Sequence, residues 1–523
     1  MAITETRPET GTASEAATDA AVAEPVNFLG TGDHKAIGVF YVALALVFGV
    51  VGWVVTALWG AHQIGDQGFL SADAANTLFS GGHLGLVLLV IVPLFLGLGT
   101  YVVPLQVGAN TLAFPRAASA ALWTWLLAGG VFIVANSIDG GIGGGHSEAA
   151  DLGLLALGAM VLAIVIGTLC VVTTAITLRT PGLYLDRAPF TTWAFLVGGS
   201  VWILTLPVLV GNIALIYVDH RYGLPSDFGV PAGQWPQLSW VVSQPQVYAF
   251  MIPGLGVIAD IVATLAGARQ ANRGVMYGAI GAFGVLRVGS WAQTYFYPKA
   301  QDELVFAAMS LLIVLPVLAF LGGLASTIRA GRPSTRSPFL LAVVSTLLLL
   351  LAVITGFLYV ITPLELRETS VYSAGQFALV ISAAFTAGIA GVMYWAPKMV
   401  GREAVDVLGK LNVLVLLGGG ALAGLPLILL GFATKFDGLN DAADALWVVS
   451  IIGAVLLALG SLLAVLALGS TVKGPRVEAD VWGTGQTLEW ACPSPPPAGN
   501  FGELPLVRSP EPLLDAAEPV EEA

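Results

Sequence analysis

Residues 240–256 read WVVSQPQVYAFMIPGLG, and this mainly apolar stretch holds three hydrogen-bonding side chains within five positions. These side chains belong to Gln244, Gln246 and Tyr248. A polar group at the depth of a lipid bilayer is costly unless another group binds it, so such residues normally face a bundle interior or a site. The stretch therefore predicts a buried polar site inside a membrane protein.

The composition of the whole chain supports a membrane location. Of its 523 residues, 56% are hydrophobic and 10% are charged, which is too apolar for an ordinary soluble protein. Runs of about 20 apolar residues, the length that crosses a bilayer, recur along the chain. We predict an all-α polytopic protein with about twelve spans, near 36–61, 77–106, 117–137, 152–180, 190–217, 238–268, 274–297, 304–328, 337–361, 369–396, 409–434 and 443–470.

The distribution of positive charge predicts the orientation of these spans. Of the 21 Lys and Arg residues, sixteen fall at one set of span ends, four fall at the other, and Arg287 lies inside the predicted seventh span. Lys and Arg concentrate in cytoplasmic loops. We therefore expect a multi-pass protein with both termini in the cytoplasm.

The regions outside the spans indicate three parts of the chain. Residues 1–30 are acidic and rich in Ala and Thr, which predicts a disordered cytoplasmic segment. Residues 31–472 form the predicted membrane domain, and residues 473–523 a Pro-rich cytoplasmic tail that is expected to be extended. The Gly-rich loop DGGIGGGHS, residues 139–147, follows no predicted strand, so it does not fit a phosphate-binding loop.

Charge and cysteine content exclude two classes of function. The net charge of −12 argues against nucleic-acid binding. The two cysteines, Cys170 and Cys492, form no CxxC motif or Cys/His cluster, so a cysteine-based metal site is not expected.

Several strings resemble subunit I of the haem-copper oxidases, the catalytic subunit of cytochrome c oxidase. They follow one another as TGDHKAIGVFY (31–41), NTLF (76–79), PLFLGLGTYVVPLQVGA (93–109), AFPR (113–116), LRTPGLYLDRAPFTTWA (178–194), PVLVGNIALIYVDHRYG (207–223), QPQVY (244–248), IPGLG (252–256), WAQTYF (291–296), YWAPKMVGR (394–402) and LGKL (408–411). The tail LEWACPSPPPAGNFGELP, residues 488–505, is similar to that of bacterial members. The resemblance implies a subunit I-like fold of twelve helices in a bacterial plasma membrane.

The copper site that the resemblance implies lacks its histidines here. The three copper-ligand positions fall on Gln244, Gln293 and Thr294, and the position of the proton-carrying glutamate falls on Gln246. Amides are weak ligands for copper and do not titrate near neutral pH. Tyr248 is kept, but Gln244 cannot supply the histidine that the matching tyrosine is joined to in these oxidases. We expect no metal, and interpret all five positions as vestigial.

The haem-ligand positions are substituted as well. The two tenth-span ligands fall on Gly375 and Phe377, neither of which can bind iron, and the second-span ligand falls on Gly82. His83 lies one residue further on, so haem binding would depend on His83 alone. A histidine that is satisfied by a nearby hydrogen bond is the alternative. No cofactor is expected unless His83 binds a haem.

Positions that handle protons and propionates in the family are changed in the same way. The entry aspartate falls on Thr111, the lysine of the second proton pathway on Phe320, and the outer magnesium pair on Arg367–Glu368. The paired arginines that bind haem propionates fall on Thr434 and Lys435.

Arg287 introduces a charge inside a span, where an unpaired charge is expensive. On a continuous seventh helix, Arg287, Trp291 and Thr294 would share one face next to the former copper position. Asp260 is a candidate ion-pair partner. Four residues form a candidate cavity: Arg287, Trp291, Gln376 and Asp260. Their side chains either fill the space left by haem or bind an anionic or amphipathic ligand.

The substitutions predict a catalytically inactive relative of oxidase subunit I. Its expected role is structural, assembly or regulatory in a membrane complex, with membrane lipid and other membrane subunits as partners. One alternative is an enzyme, an active terminal oxidase or other redox subunit with unusual haem ligation. Another alternative is a membrane ligand-binding or transport protein that reuses the haem cavity.

Overall fold

The computed structural model describes residues 30–65, 68–223, 228–368, 370–433, 435–436 and 438–517. The N-terminal segment predicted to be disordered lies outside the described residues apart from Gly30. The former propionate position Thr434 and the last residues of the predicted tail, 518–523, also lie outside them.

Within these residues the fold is helical and contains a single isolated β-bridge, Arg402 to Arg476. Eleven helical segments are long and apolar enough to cross a membrane, and Arg273–Leu286 is a shorter apolar helix. The helices are α1 (His34–His62), α2 (Ala72–Gln106), α3 (Pro115–Ser137), α4 (Ser147–Thr177), α5 (Phe190–Tyr222), α6 (Gln246–Ala266), α7 (Arg273–Leu286), α8 (Leu304–Ala330), α9 (Ser337–Val360), α10 (Ser370–Val400), α11 (Asp406–Leu430) and α12 (Ala443–Lys473). The predicted all-α polytopic fold is confirmed.

Shorter elements connect the long helices. Three are α-helical turns or short helices: Pro231–Leu238, Gly438–Asp441 and Pro512–Ala517. Others are 3-10 turns, at Leu185–Arg187, Ser239–Val241, Ala300–Asp302, Thr362–Leu364, Leu366–Glu368 and Leu488–Trp490.

Three helices form the centre of the bundle. The most apolar 18-residue windows of α2 and α10 are 100% buried, and that of α6 is 94% buried. The corresponding windows of the other spanning helices are between 33% and 61% buried. Consecutive helices pack against each other, and α1 packs against α12, which closes the bundle. At the contact of α1 with α2, a methyl group added to Gly38 would lie 2.7 Å from the carbonyl oxygen of Gly97, so glycine permits this close approach.

Two predicted spans are wrong at their ends. Residues 246–251 form a 3-10 segment, and regular α-helix begins only at Ile252, next to Pro253, which cannot donate a backbone hydrogen bond. The span predicted at 274–297 ends as a helix at Leu286. Beyond it, the amide of Gly289 donates to the side chain of Gln246 at 2.9 Å, so a side chain replaces a helical carbonyl as the acceptor.

The Pro-rich tail packs onto one end of the bundle. Lys398 Nζ, at the end of α10, donates to the carbonyl oxygens of Cys492 at 2.6 Å and Ala479 at 2.8 Å. Asn500 donates to the carbonyl oxygen of Ala109 at 2.7 Å and lies within hydrogen-bond distance of His34. We call this end of the bundle the tail side, and the opposite end, which carries the 138–146 loop, the far side. The division at residues 30 and 472 stays a prediction.

Glu489 in the tail is fully buried between the helices and interacts with α2. Gln106 Nε2 donates to Glu489 Oε1 at 3.0 Å and to Asp260 Oδ2 at 3.1 Å, so one amide joins two acidic side chains. Burial raises the pKa of Glu489 to about 7. The hydrogen bond from Gln106 acts in the opposite direction, and the neighbouring Asp260 raises the pKa further.

This raised pKa predicts that the folded protein becomes less stable as the pH rises. The unfolded glutamate has an ordinary pKa of 4.5, so between pH 4.5 and 7 the folded chain keeps a proton that the unfolded chain has released. We expect the loss to approach about 3 kcal/mol above pH 7, at 1.36 kcal/mol per pKa unit. Thermal unfolding in detergent from pH 5 to 8 measures this loss.

The matched variant is Glu489→Gln, which keeps the shape of the side chain and removes the titration. Its melting temperature should change less with pH, and it should exceed that of the wild type at pH 8. Parallel pH profiles for the two proteins would contradict the assignment.

Candidate functional site

The polar side chains of the opening stretch meet residues of α9 and α10 in the centre of the bundle. Gln376 Nε2 lies 3.2 Å from Gln244 Oε1 and 3.4 Å from the hydroxyl of Tyr248. Gln244 Nε2 donates to the carbonyl oxygen of Gly356 at 3.3 Å, and Tyr248 donates to that of Ala352 at 2.6 Å. We call Gln244, Tyr248 and Gln376 the central cluster. All three are buried.

Glycine at position 356 makes room for this cluster. A methyl group there would lie 2.5 Å from the Tyr248 hydroxyl, 2.8 Å from Gln376 Nε2 and 2.9 Å from Gln244 Oε1. The central cluster therefore packs directly on the backbone of α9.

The other two amides at former ligand and proton positions bond elsewhere. Gln246 Nε2 donates to Thr205 Oγ1 of α5 at 2.9 Å. Gln293 Oε1 accepts from Asn212 Nδ2 at 2.8 Å, and Gln293 Nε2 donates to the carbonyl oxygen of Ser290 at 2.6 Å. Each amide is held by neighbouring protein atoms.

Arg287 lies beside the central cluster, immediately after the last residue of α7. Its side chain is 0% exposed, and its guanidinium carbon lies 4.6 Å from the centre of the Tyr248 ring. Its Nε and Nη1 atoms have no hydrogen-bond partner within the described part of the chain. A cation over an aromatic face gains some stabilisation, but it is not a substitute for a counter-ion.

The predicted helical face containing Arg287, Trp291 and Thr294 is wrong because α7 ends at Leu286. Trp291 is half-buried and contacts Phe306 edge to face, with ring centres 6.3 Å apart. Thr294 lines a cavity of about 220 Å³ towards the far side, together with His83 and Phe377.

Asp260 is not the partner of Arg287. Its carboxylate accepts from the amides of Phe190 at 3.0 Å and Thr191 at 2.9 Å, the first two residues of α5, and from Gln106. A carboxylate at the N-terminus of a helix satisfies amides that lack helical partners and interacts favourably with the helix dipole. Asp260 therefore caps the tail-side end of α5.

His83 is held between aromatic rings. Its Nδ1 lies 2.8 Å from the carbonyl oxygen of Phe79, and its ring centre lies 4.2 Å from that of Phe79 and 4.4 Å from that of Phe377. Gly82 faces a different cavity, next to Val55 of α1. At Gly375 a methyl group would lie 2.8 Å from the amide nitrogen of Ile428, so this position is a contact between the backbones of α10 and α11.

These residues do not fit two haems and a copper. The cavities that His83 lines measure about 20 Å³ and about 220 Å³, whereas small-molecule and cofactor sites occupy roughly 300–1,000 Å³. The smaller cavity has room for about one water molecule. Among the described residues, no group of three or more His, Cys, Asp or Glu side chains is placed to hold a metal ion.

Comparison with known proteins identifies the family. Residues 36–467 match the family model described as Cytochrome C and Quinol oxidase polypeptide I. The chain belongs to this family. The comparison confirms the resemblance inferred from the motifs, and the bacterial relatives support a bacterial membrane location.

The chain matches three relatives within the family over most of their length. The chain is 28% identical to "Cytochrome c oxidase subunit 1" of Bacillus subtilis, over 95% of this chain and 85% of the relative. It is 30% identical to "Putative cytochrome c oxidase subunit 1-beta" of Streptomyces coelicolor, over 94% and 91%. The protein of that name in Streptomyces avermitilis is 29% identical over 94% and 92%.

Several residues of the site were not singled out from the sequence. Asn212 and Thr205, which bind Gln293 and Gln246, lie inside the apolar run of α5. Their polarity within a span is a signal that they have partners, but nothing in the spacing says which partners. Gln106, which joins Asp260 to Glu489, belongs to the same class.

Replacing Gln376 with Leu tests whether the central cluster is a connected unit. The change removes the donor for Gln244 Oε1 and leaves that buried oxygen unpaired, which should destabilise the protein by about 1–3 kcal/mol. Thermal unfolding in detergent measures the loss. Gln376→Leu combined with Gln244→Leu should cost less than the sum of the two single changes, because both partners are then apolar. Additive losses would show that the two amides are not coupled.

Proposed function

We propose that this protein is an oxidase subunit I-like membrane protein without oxidase activity, which has a structural, assembly or regulatory role in a membrane complex. The observation that carries the proposal is the central cluster. Gln244 and Gln376 bond to each other at 3.2 Å, where the family would bind copper and haem through histidines.

The chemistry of the substituted positions supports this proposal. Haem iron in proteins is held by His, Cys, Met or Tyr, and copper by imidazole, thiolate or thioether groups. The positions that the resemblance assigns to the family's ligands carry Gln244, Gln293, Thr294, Gly375, Phe377 and Gly82 instead. The amides among them already use their polar atoms in bonds with other protein atoms.

The helix packing explains how the chain could have a structural role without bound cofactors. The buried helix α10 packs against both α2 and α6, so the outer helices keep a common centre to surround when side chains fill the cofactor positions. A subunit of this kind can offer the outer surface of an oxidase subunit to lipid and other membrane subunits without reducing oxygen.

Cofactor analysis of the protein purified from its native membrane tests the proposal. We expect below about 0.1 haem and below about 0.1 copper per chain, because suitable ligands are lacking at the family positions. A reduced-minus-oxidised spectrum and elemental analysis give these ratios. The oxidase containing the Bacillus subtilis relative, prepared in the same way, is the positive control.

The His83→Ala variant separates the two interpretations of this histidine. It should leave the spectrum unchanged if His83 is structural. One haem per chain in the wild type would overturn the proposal, and loss of that haem in His83→Ala would assign His83 as its ligand.

A second candidate function is supported by Arg287. Its buried guanidinium has two nitrogens without a partner in the described chain, and an uncompensated buried charge is strongly destabilising. A small anion such as chloride or acetate, bound beside Arg287 and Tyr248, would supply the missing charge. In this case the protein would bind or transport a small anionic ligand through the former haem region.

Chloride and acetate distinguish this candidate from simple space filling. Bound anion would raise the melting temperature of the wild type at constant ionic strength, and Arg287→Met would remove the response. The exposed Arg329→Met is the matched control. If the wild type does not respond and Arg287→Met is more stable, as expected from removing an unpaired charge, the anion candidate fails.

A further inference from the structure

A groove separate from the central cluster runs between α1, α2 and α3. It has a volume of about 400 Å³ and is lined mainly by apolar side chains. Val51 and Leu58 of α1, which line it, are 50% and 46% exposed, so the groove opens on the outside of the bundle. Because all three helices are membrane spans, the groove faces the hydrocarbon of the bilayer.

Glycines on α2 create the floor of this groove. Gly81, Gly82 and Gly85 line it in succession over little more than one helical turn. The nearest atom to a methyl group added at Gly85 would be Leu89 Cδ1, at 4.0 Å. The helix therefore presents bare backbone to the groove at a point where a side chain could stand, and an apolar chain fits that space.

The far-side end of the groove contains polar oxygen atoms without partners. Thr77, Asn136 and Asp139 line the groove at this end, and the Oγ1 atom of Thr77 and the Oδ1 atoms of Asn136 and Asp139 are buried and lack a hydrogen bond to the described part of the protein. Thr77 as a whole is 4% exposed. Buried oxygens are normally bonded, and each of these three can accept a hydrogen bond, so together they suit a ligand that carries several N–H donors.

The 138–146 loop keeps these oxygens in place and adds negative charge. Methyl groups at Gly81 and Gly141 would lie 2.4 Å and 2.3 Å from Asn136 Oδ1, so both positions leave space for that oxygen. Asp73 Oδ2 and Asp139 Oδ2 lie 3.0 Å and 3.1 Å from the position of a methyl group at Gly145. Among the described residues that line the groove, none is Lys or Arg.

We propose that this groove binds a membrane lipid whose headgroup ends in a primary ammonium, such as phosphatidylethanolamine. One acyl chain lies on the glycine floor of α2. The ammonium group lies at the far-side end, where its three N–H donors match the three unpaired oxygens and its charge matches Asp139. This inference concerns a surface that the proposed function does not use, and it stands independently of whether haem binds.

Charge and hydrogen-bond donors make separate demands on the headgroup. Phosphatidylcholine carries the same formal charges but has no N–H donor, and phosphatidylglycerol has hydroxyl donors but no positive charge. An ammonium site should therefore select phosphatidylethanolamine over both lipids. A site that only required hydroxyl donors would prefer phosphatidylglycerol.

Native mass spectrometry of the full chain tests this selection. The purified protein is exchanged into detergent with equal amounts of the three lipids, all with the same acyl chains. We expect phosphatidylethanolamine to be retained about tenfold more than phosphatidylcholine, the size of one hydrogen bond to a charged group.

Two variants test the two ends of the groove. Asp139→Asn removes the charge and keeps a residue that tolerates the positive φ of 57° at this position. Gly85→Leu fills the floor and leaves the three oxygens intact. Asp139→Asn should reduce the preference for phosphatidylethanolamine to about twofold or less, because the charge that faces the ammonium is lost. Gly85→Leu should instead lower the retained amount of all three lipids, because it fills the space of the acyl chain that they share. Asp186→Asn, at an exposed tail-side position, is the control and should retain the preference.

The melting temperature of each variant, measured without added lipid, shows whether it folds. Equal retention of phosphatidylethanolamine and phosphatidylcholine by the wild type would overturn the proposal. Stronger retention of phosphatidylglycerol would overturn it as well, as would a folded Asp139→Asn variant that keeps the full preference or a folded Gly85→Leu variant that retains as much lipid as the wild type.

Discussion

The hydrogen bond between Gln376 and Gln244 joins α10 to the start of α6, two of the three helices that the bundle surrounds. In hydrocarbon there is no water to satisfy a polar side chain, so any polar group kept at this depth must find a protein partner. An amide side chain at this depth therefore needs a partner on a neighbouring segment of the bundle. Gln244, Gln246 and Gln293 each meet this requirement differently, through α10 and α9, through α5 and Gly289, and through Asn212. The hydrogen bonds in the centre of the bundle follow from this one constraint.

The positions of the spans could be read from the lengths of the apolar runs, because a bilayer fixes how many apolar residues a helix needs. The start of α6 and the end of α7 could not be predicted from run length. Beyond α7, the amide of Gly289 donates to the side chain of Gln246 instead of to a helical carbonyl. The substituted ligand positions were visible as a pattern of Gln, Gly and Phe. Their partners were not visible, because Thr205 and Asn212 are 41 and 81 residues from the side chains they bind. The sequence also does not show the partner of Asp260. Its carboxylate accepts from the amides at the start of α5 and not from Arg287.

Arg287 and the groove between α1, α2 and α3 differ from this pattern in opposite ways. Arg287 has donors without acceptors in the described chain, and the groove has acceptors without donors. Asp139 and Arg287 cannot neutralise each other because one lies at the far-side end of α3 and the other beside Tyr248 in the centre. The two places therefore differ in the charge of the ligand that each would suit.

The packing of the tail also determines when the bundle can be completed. His34, the first residue of α1, lies beside Asn500, which is 466 residues later in the chain. At a synthesis rate of about 5–20 residues per second, the ribosome needs roughly 20–90 s to make the intervening chain. Throughout this time the tail-side end of α1 lacks its final neighbour, although the helix itself has already entered the bilayer. The nascent protein therefore passes through an unfinished state in which the surface of His34 that Asn500 later covers is still open.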